Sequence, residues 1–358
     1  MNDMNLKLTD NVKKILYGLV RYPHLPDKEI SNKLGIPVST FSSIKKRLGE
    51  YGYYSNYNVP LLQNLGCELF LASYVFLNRT TKTTERLSIT ENVIKGFSED
   101  FFIISEANQG LHFSISKNYT EFDKNVVSFM DIYLKNNFLA EDHFYQVAFP
   151  YAHSTVINFF DYSLFIKNLF NIDIDVGYPP IVNKLDKTTV KKVELTATEK
   201  KVFYGFTRYP DLPDHKLAEK IKSSRNTVGD CKRRFYNDGL MAPKRIPSLN
   251  KLGIKLLVFT YARPNPRTTR KDRLNGIEMI TDVLNPILHI SKKLKSIFFT
   301  PFRDFSEYQQ KYGEVLRYYM ENDFMTEEPQ SLLFSVPDIT HIKKHDYTPL
   351  VEKYVYPK

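Results

Sequence analysis

The spacing of apolar residues near the N-terminus predicts three short helices. In the first, four of them recur at the i, i+3, i+4 and i+7 positions of one helical face: Val12, Ile15, Leu16 and Leu19. Pro23 and Pro26 end this helix, and Asp27 is placed to cap a second helix over residues 28–34. A third, basic helix is expected over residues 39–49. Two short helices joined by a turn are typical of a helix-turn-helix, whose second helix enters the major groove of DNA.

After residue 66 the pattern changes to one of strands and helices in alternation. The predicted elements are strands over 68–77, 101–107, 111–116 and 143–149, and helices over 84–97 and 122–137. The order strand, helix, strand, strand, helix, strand is the ferredoxin-like arrangement. The chain from Lys255 to Val336 has the same order of patterns.

The chain contains an internal repeat, in which residue 8 corresponds to residue 195. Residues 8–66 and 195–253 align without a gap, and 21 of the 59 aligned positions are identical. We therefore interpret the chain as a tandem duplication, with repeat 1 and repeat 2 separated around Gly177–Pro180.

The net charge of +10 is concentrated in the two helix-turn-helix regions. Residues 7–60 hold nine Lys or Arg and four Asp or Glu, and residues 194–255 hold fourteen and seven. These excesses of +5 and +7 leave the rest of the chain at −2. Positive charge focused at two separate segments favours contact with nucleic-acid phosphates.

Within this pattern the sequence resembles the Lrp/AsnC transcription regulators. The resemblance rests on the run Glu29–Phe41, on Lys45-Lys46-Arg47-Leu48 and Tyr51-Gly52-Tyr53, and on the segment Asn58–Gly66. Repeat 2 departs from the family pattern, since Lys222 replaces the turn glycine and Gly229 lies inside the third helix. The resemblance implies an α+β protein with two winged helix-turn-helix domains that alternate with two ferredoxin-like (βαββαβ) domains and form an intramolecular pseudo-dimer.

The expected domains follow from the repeat and from this resemblance. They are winged helix-turn-helix 1 (1–64), ferredoxin-like effector and dimerisation domain 1 (65–150), a helical extension and linker (151–193), winged helix-turn-helix 2 (194–251), ferredoxin-like domain 2 (252–337) and a C-terminal extension (338–358).

The third helices supply the candidate DNA-binding residues. In repeat 1 these are Ser39, Thr40, Ser42, Ser43, Lys45, Lys46 and Arg47. In repeat 2 they are Arg225, Asn226, Asp230, Lys232, Arg233 and Arg234. Arginine and asparagine suit bidentate contacts with guanine and adenine, whereas serine hydroxyls discriminate weakly. Two unequal half-sites in double-stranded DNA are therefore expected.

The resemblance also implies a small-molecule effector site near the turn Asn108-Gln109-Gly110, which repeat 2 replaces with Lys292-Lys293-Leu294-Lys295. It leaves open a homodimer or a higher oligomer. We expect no cofactor, no metal site and no contact with a membrane. The two cysteines, Cys67 and Cys231, form no CxxC pair and fit a reducing cytoplasm.

Two other functions are alternatives to this interpretation. The same architecture resembles the siroheme decarboxylases, and His112, His143, His153 and His289 are available for chemistry. No HExxH motif, phosphate loop or triad-like arrangement accompanies them. The second alternative is an architectural, chromatin-like DNA-binding protein. The basic third helices favour a regulator, and we expect that the chain is not an enzyme.

Overall fold

The computed structural model describes residues 6–78, 80–94, 96–174 and 192–356. In this part of the chain the protein is a mixed α+β structure with antiparallel sheets. The predicted repeat boundary around Gly177–Pro180 lies outside the described residues, together with the rest of the stretch 175–191 of the predicted linker. The predicted division into six domains stays a prediction.

Three helices and a strand begin each repeat. In repeat 1 they are α1 (Asp10–Arg21), α2 (Asp27–Leu34), α3 (Val38–Glu50) and β1 (Tyr54–Pro60). In repeat 2 they are α7 (Ala197–Arg208), α8 (Asp214–Lys220), α9 (Arg225–Asn237) and β7 (Met241–Pro247). Phe41 and Leu48 are buried on the inner face of α3, and Val228 and Phe235 occupy the corresponding places on α9. The apolar face follows the helical period that the sequence predicts.

Two sheets with covering helices follow. The elements of repeat 1 are β2 (Leu69–Leu77), α4 (Thr83–Ile94), β3 (Asp100–Glu106), β4 (Gln109–Ser116), α5 (Tyr119–Lys135) and β5 (Leu139–Pro150). The elements of repeat 2 are β8 (Leu256–Ala262), α10 (Arg270–Leu284), β9 (Leu288–Lys292), β10 (Lys295–Phe302), α11 (Phe305–Glu321) and β11 (Gln330–Ser335). Each repeat then adds a strand and a helix: β6 (Thr155–Phe159) with α6 (Ser163–Leu169), and β12 (Thr340–Lys343) with α12 (Thr348–Tyr354).

Each of these sheets has five strands, whereas the sequence predicts four. The strand orders are β12-β3-β4-β2-β5 and β11-β8-β10-β9-β6. The fifth strand of each sheet comes from the extension of the other repeat and pairs antiparallel with its neighbour. It covers the backbone N–H and C=O groups of an edge strand that would otherwise be open.

The chain divides into two compact units, each of which combines segments from both repeats. Unit 1 consists of Met1–Asn56, Ser154–Thr188 and Pro243–Pro337. Unit 2 consists of Tyr57–His153, Thr189–Ala242 and Asp338–Lys358. The helix-turn-helix of one repeat therefore shares a unit with the sheet of the other repeat.

A polar side chain anchors the fifth strand in each unit. In unit 1, Asn158 of β6 donates from Nδ2 to the carbonyl of Pro286 at 2.6 Å, just before β9. In unit 2, Lys343 of β12 donates from Nζ to the carbonyls of Phe97 and Asp100 at 2.7 and 3.1 Å. Both contacts satisfy carbonyl groups at the start of the edge strand that the extension covers.

The helix of each extension packs against the first helix of the helix-turn-helix in its unit: α6 against α1 and α12 against α7. In unit 1, burial opposes ionisation of Asp161, but Lys244, the Ser163 hydrogen bonds and Arg21 outweigh it and lower the pKa of that carboxyl. In unit 2, the guanidinium of Arg208 lies 3.4 Å from a carboxylate oxygen of Glu352 in α12. The arginine that ends each first helix therefore faces an acidic residue of the extension.

No helix in the described part of the chain is long and apolar enough to cross a membrane. No group of three or more His, Cys, Asp or Glu within it is placed to hold a metal ion.

The turn between the second and third helices differs between the two repeats. Gly35 has a φ of 64°, and Lys222 adopts a φ of 50° at the corresponding place in repeat 2. The backbone of Ser223 donates to the carbonyl of Ala218 at 2.9 Å, as Ile36 donates to Ser31 at 3.0 Å. Both turns therefore end the helix with a left-handed residue, and repeat 2 does so without glycine.

Replacing Lys222 with glycine is expected to stabilise unit 2 by about 1 kcal/mol, because a side chain strains the left-handed conformation. Urea unfolding followed by circular dichroism measures the change. Lys216→Gly is the matched control, since it places glycine inside α8 and is expected to cost about 1 kcal/mol. Equal destabilisation by both substitutions would show that Lys222 is not strained.

Candidate nucleic-acid interface

Helix α3 exposes most of the residues that the sequence predicts to contact DNA. Ser39, Ser42, Ser43, Lys46 and Arg47 are exposed, and Thr40 is half-buried. The exposed residues lie opposite Phe41 and Leu48, which pack into the core of the helix-turn-helix. Among the described residues no side chain caps the N-terminus of α3, so the backbone N–H groups of its first turn keep their capacity to donate.

Lys45 differs from the other predicted residues of this helix. Its Nζ lies 2.7 Å from Oδ1 of Asp27, the first residue of α2. Both side chains are about one-third exposed, at 31% and 34%. This ion pair joins the two helices of the helix-turn-helix, so the charge of Lys45 is already neutralised within the protein.

Helix α9 of repeat 2 repeats this arrangement. Lys232 lies 2.9 Å from Asp214, the first residue of α8, and matches Lys45 in the alignment. Arg234 pairs with Glu199 and lies 3.3 Å from Asp238. Lys232 and Arg234, both predicted to contact DNA, are therefore half-buried residues that hold helices together.

The exposed face of α9 carries Arg225, Asn226, Asp230 and Arg233. Arg233 and Asp230 form an exposed ion pair three residues apart. Such a pair contributes little to stability because water screens both charges. It does place the guanidinium of Arg233 beside a carboxylate, so that a base or phosphate that binds Arg233 must compete with Asp230.

Within the described residues, each third helix exposes one cation that is paired with an acidic residue of the same helix, namely Lys46 on α3 and Arg233 on α9. Lys46 lies 3.8 Å from Glu50 at an exposed position, whereas Arg47 and Arg225 form no ion pair within the described residues. Gly229 has no heavy atom within 4 Å of the place where a Cβ would lie. The surface of α9 is open at that residue.

Of the predicted effector turn, Asn108 lies between β3 and β4, whereas Gln109 and Gly110 are the first two residues of β4. The carbonyl of Asn108 accepts from the backbone N–H of Leu77 at 2.8 Å, and Gln109 donates to a carboxylate oxygen of Glu106 at 3.3 Å. Gly110 is buried, and a Cβ there would lie 3.1 Å from Val75. A cavity of about 380 Å³ lies beside the turn, lined by Leu87, Ser105, Glu106, Ala107, Asp338 and Thr340. None of the three predicted effector residues lines it.

The histidines considered for chemistry lie in different places. His112 is buried in β4, with its ring edge-on to Phe129 at 5.3 Å, and burial lowers the pKa of His112 to about 4, with a smaller effect of Lys343. His153 is exposed. The side chain of His143 lies outside the described residues. His289 is buried in β9, and its Nε2 shares a 3.2 Å hydrogen bond with the Ser296 hydroxyl.

Sequence reasoning missed a cavity beside His289. It measures about 50 Å³ and lies between the sheet of repeat 2 and the helices α10 and α11. Arg273 of α10 lines it together with His289, Ser291 and Ser296. The arginine lies inside helix α10, and no short motif marks it in the sequence.

The fold is similar to that of a solved enzyme over almost its entire length. The structure of the siroheme decarboxylase NirDL has a TM-score of 0.52 and 10% sequence identity, and the similarity covers 97% of this chain and 98% of that chain. The same protein in complex with an iron-uroporphyrin III analogue has a TM-score of 0.52 and 9% identity, with 97% and 99% covered. At these identities the likeness shows the fold alone.

Similarity to AsnC-family regulators covers only part of the chain. An AsnC family transcriptional regulator from Agrobacterium tumefaciens has a TM-score of 0.32 and 14% identity, over 39% of this chain and 90% of that chain. A score this low carries no argument about function. No protein-family model matches the chain, and no curated protein matches it.

These comparisons correct one expectation from the sequence. We expected that the chain is not an enzyme, and the whole-chain similarity to an enzyme contradicts this. The expectation rested on the lack of short catalytic motifs and on the basic third helices. Catalytic residues that are brought together from distant segments of a chain do not form a short motif in its sequence.

Proposed function

We propose that the chain is a sequence-specific, double-stranded-DNA-binding transcription regulator that reads two unequal half-sites with α3 and α9. One observation carries this proposal. On each third helix a lysine is fixed by an ion pair to the second helix, while serine, asparagine, lysine and arginine side chains occupy the exposed face. A fixed pair of helices that presents polar and cationic groups suits docking in the major groove.

The charges divide into two roles under this proposal. Arg47 and Arg225 are exposed and are assigned to phosphates, which position the protein on the duplex. The N-terminal turn of α3 supplies further N–H donors for a phosphate. Asn226 and Arg233 are assigned to base edges, because both can form bidentate contacts.

We also propose that the two readers arose by internal duplication and act as one pseudo-dimer. Since both lie on one chain, the second reader binds at an effective concentration set by the protein itself and not by the amount of protein present. The alternation of winged-helix and ferredoxin-like domains is part of this proposal. Identity at 21 of 59 aligned positions supports it.

A second candidate function is decarboxylation of a tetrapyrrole. The observation that favours it is the similarity to the siroheme decarboxylase NirDL over 97% of this chain. The cavities beside His289 and His112 measure about 50 and 40 Å³. Small-molecule sites are commonly about 300–1,000 Å³, so a macrocycle would require the helices over either sheet to move outward.

The double variant Lys46→Gln and Arg47→Gln is expected to weaken binding to all DNA sequences, because it removes contacts to phosphates. A plot of log affinity against log salt concentration should also become less steep, by about one unit of slope for each phosphate contact that is lost. Fluorescence anisotropy across a range of salt concentrations measures both effects. Lys14→Gln is the matched control, because it removes an exposed charge from α1 in the same helix-turn-helix. An unchanged affinity and slope in the double variant would exclude α3 as a reader.

The preferred DNA site is expected to lack two-fold symmetry, because Ser39, Ser43 and Lys46 of α3 match Asn226, Asp230 and Arg233 of α9. Arg233→Ala should cost about 1–3 kcal/mol of discrimination in one half-site only. Selection from random DNA followed by sequencing measures this for each position. Arg47→Ala, which removes a phosphate contact, is the control that should weaken binding without relaxing discrimination in either half-site. A perfect inverted repeat would contradict the proposal.

The decarboxylase candidate has its own test. Addition of siroheme should shift the absorption bands of the macrocycle, and mass spectrometry should then detect loss of carbon dioxide from the pigment. Neither change would appear if the candidate is wrong. This result is independent of DNA binding, because the readers and the two cavities use different residues.

A further inference from the structure

The cavity of unit 1 has a polar floor and apolar walls. Its floor is formed by His289 and Ser291 of β9 and Ser296 of β10, which are 1%, 7% and 5% exposed. Its walls include Ile277, Ile280, Val315, Leu316 and Phe324. Buried polar groups in such a setting keep their hydrogen-bonding capacity for each other or for a ligand.

Arg273 brings a positive charge to this apolar cavity. Its side chain is half-buried, and burial lowers the pKa of its guanidinium. Among the described residues no carboxylate forms an ion pair with it. Asp272 also borders the cavity, but its carboxylate accepts hydrogen bonds from the backbone and hydroxyl of Thr269 at 3.0 and 2.7 Å. A partly desolvated cation without a counter-ion is costly unless an anion binds to it.

The corresponding place in unit 2 is built differently. Arg86 lies in α4, the first helix over that sheet, and precedes Arg273 by the 187 residues that separate the two aligned segments. It is 1% exposed and donates to the carbonyl of Glu106 at 3.2 Å. The cavity between that sheet and its helices is lined by Glu99 and Asp100 among others, and Arg86 does not line it. Because this cavity is lined by two carboxyl groups and not by an arginine, it disfavours the binding of an anion.

We propose that the cavity of unit 1 binds a short-chain monocarboxylate, with its carboxylate on Arg273, its alkyl group against the walls of α10 and α11, and no equivalent site in unit 2. Arginine binds a carboxylate through two parallel N–H donors. A cavity of about 50 Å³ is small for a ligand site, which favours a short ligand. The single cation and the apolar walls favour a monoanion over phosphate. The site does not depend on DNA binding.

The test is a ligand-observed NMR titration of the full chain with propanoate, butanoate and octanoate, with butanamide and inorganic phosphate as comparison probes. Butanoate should bind, and Arg273→Gln should weaken it about tenfold or more, since a charged hydrogen-bonded pair is lost. Lys271→Gln is the matched control, because Lys271 is exposed on the same turn of α10 and does not line the cavity. It should leave the affinity within about twofold of the parent, because Lys271 does not line the cavity and the interactions of an exposed charge are weakened by water.

Arg273→Lys provides a second variant that keeps the positive charge and loses the two-donor geometry. It should bind butanoate more weakly than the parent and more tightly than Arg273→Gln. Butanamide or phosphate binding as tightly as butanoate would overturn the proposal. Octanoate binding more tightly than butanoate would also overturn it, as would the same affinity in Arg273→Gln or no binding of any carboxylate at tens of millimolar.

Discussion

The structure depends on covering one open edge of each five-stranded sheet. An antiparallel sheet that ends in β9 or β3 exposes a row of backbone N–H and C=O groups, which favours pairing with another chain. The extension of the opposite repeat supplies that pairing, and Asn158 or Lys343 fixes the start of the edge strand. Because each repeat completes the other's sheet, neither repeat carries a finished sheet of its own.

The exchange of edge strands between the two repeats also positions the first helix of each helix-turn-helix. The strand that covers β9 continues into α6, which packs against α1, and the strand that covers β3 continues into α12, which packs against α7. Ionised Asp161 near Arg21, and Glu352 near Arg208, add charge pairing at these contacts. A cation at the C-terminal end of a helix also interacts favourably with the helix dipole. The same arginine in both repeats therefore has a structural explanation that does not require DNA.

The sequence predicts much of the local structure, but it does not predict that each repeat supplies an edge strand to the sheet of the other repeat. The period of apolar residues places the predicted helix over 39–49 close to α3, because Phe41 and Leu48 must face the same core. It cannot predict that β6 pairs with β9, since strand partners distant in sequence leave no periodic signal. Charge counts likewise cannot separate Lys45, which is bound to Asp27, from the exposed Lys46. Arg273 is missed for the same reason, because only the packing of α10 shows that it borders a cavity.

The cavity and the helix-turn-helix of unit 1 are connected through one strand. His289 and Ser291 face the cavity from β9, and the same residues are paired with Asn158 and Thr155 of β6. A ligand shifts an equilibrium only by the difference in its affinity for two arrangements. Occupation of the cavity therefore affects α1 only if β9 has a second arrangement that changes its pairing with β6. The cavity of unit 2, which is lined by Glu99 and Asp100, offers no equivalent site for an anion, so any such effect would be confined to unit 1.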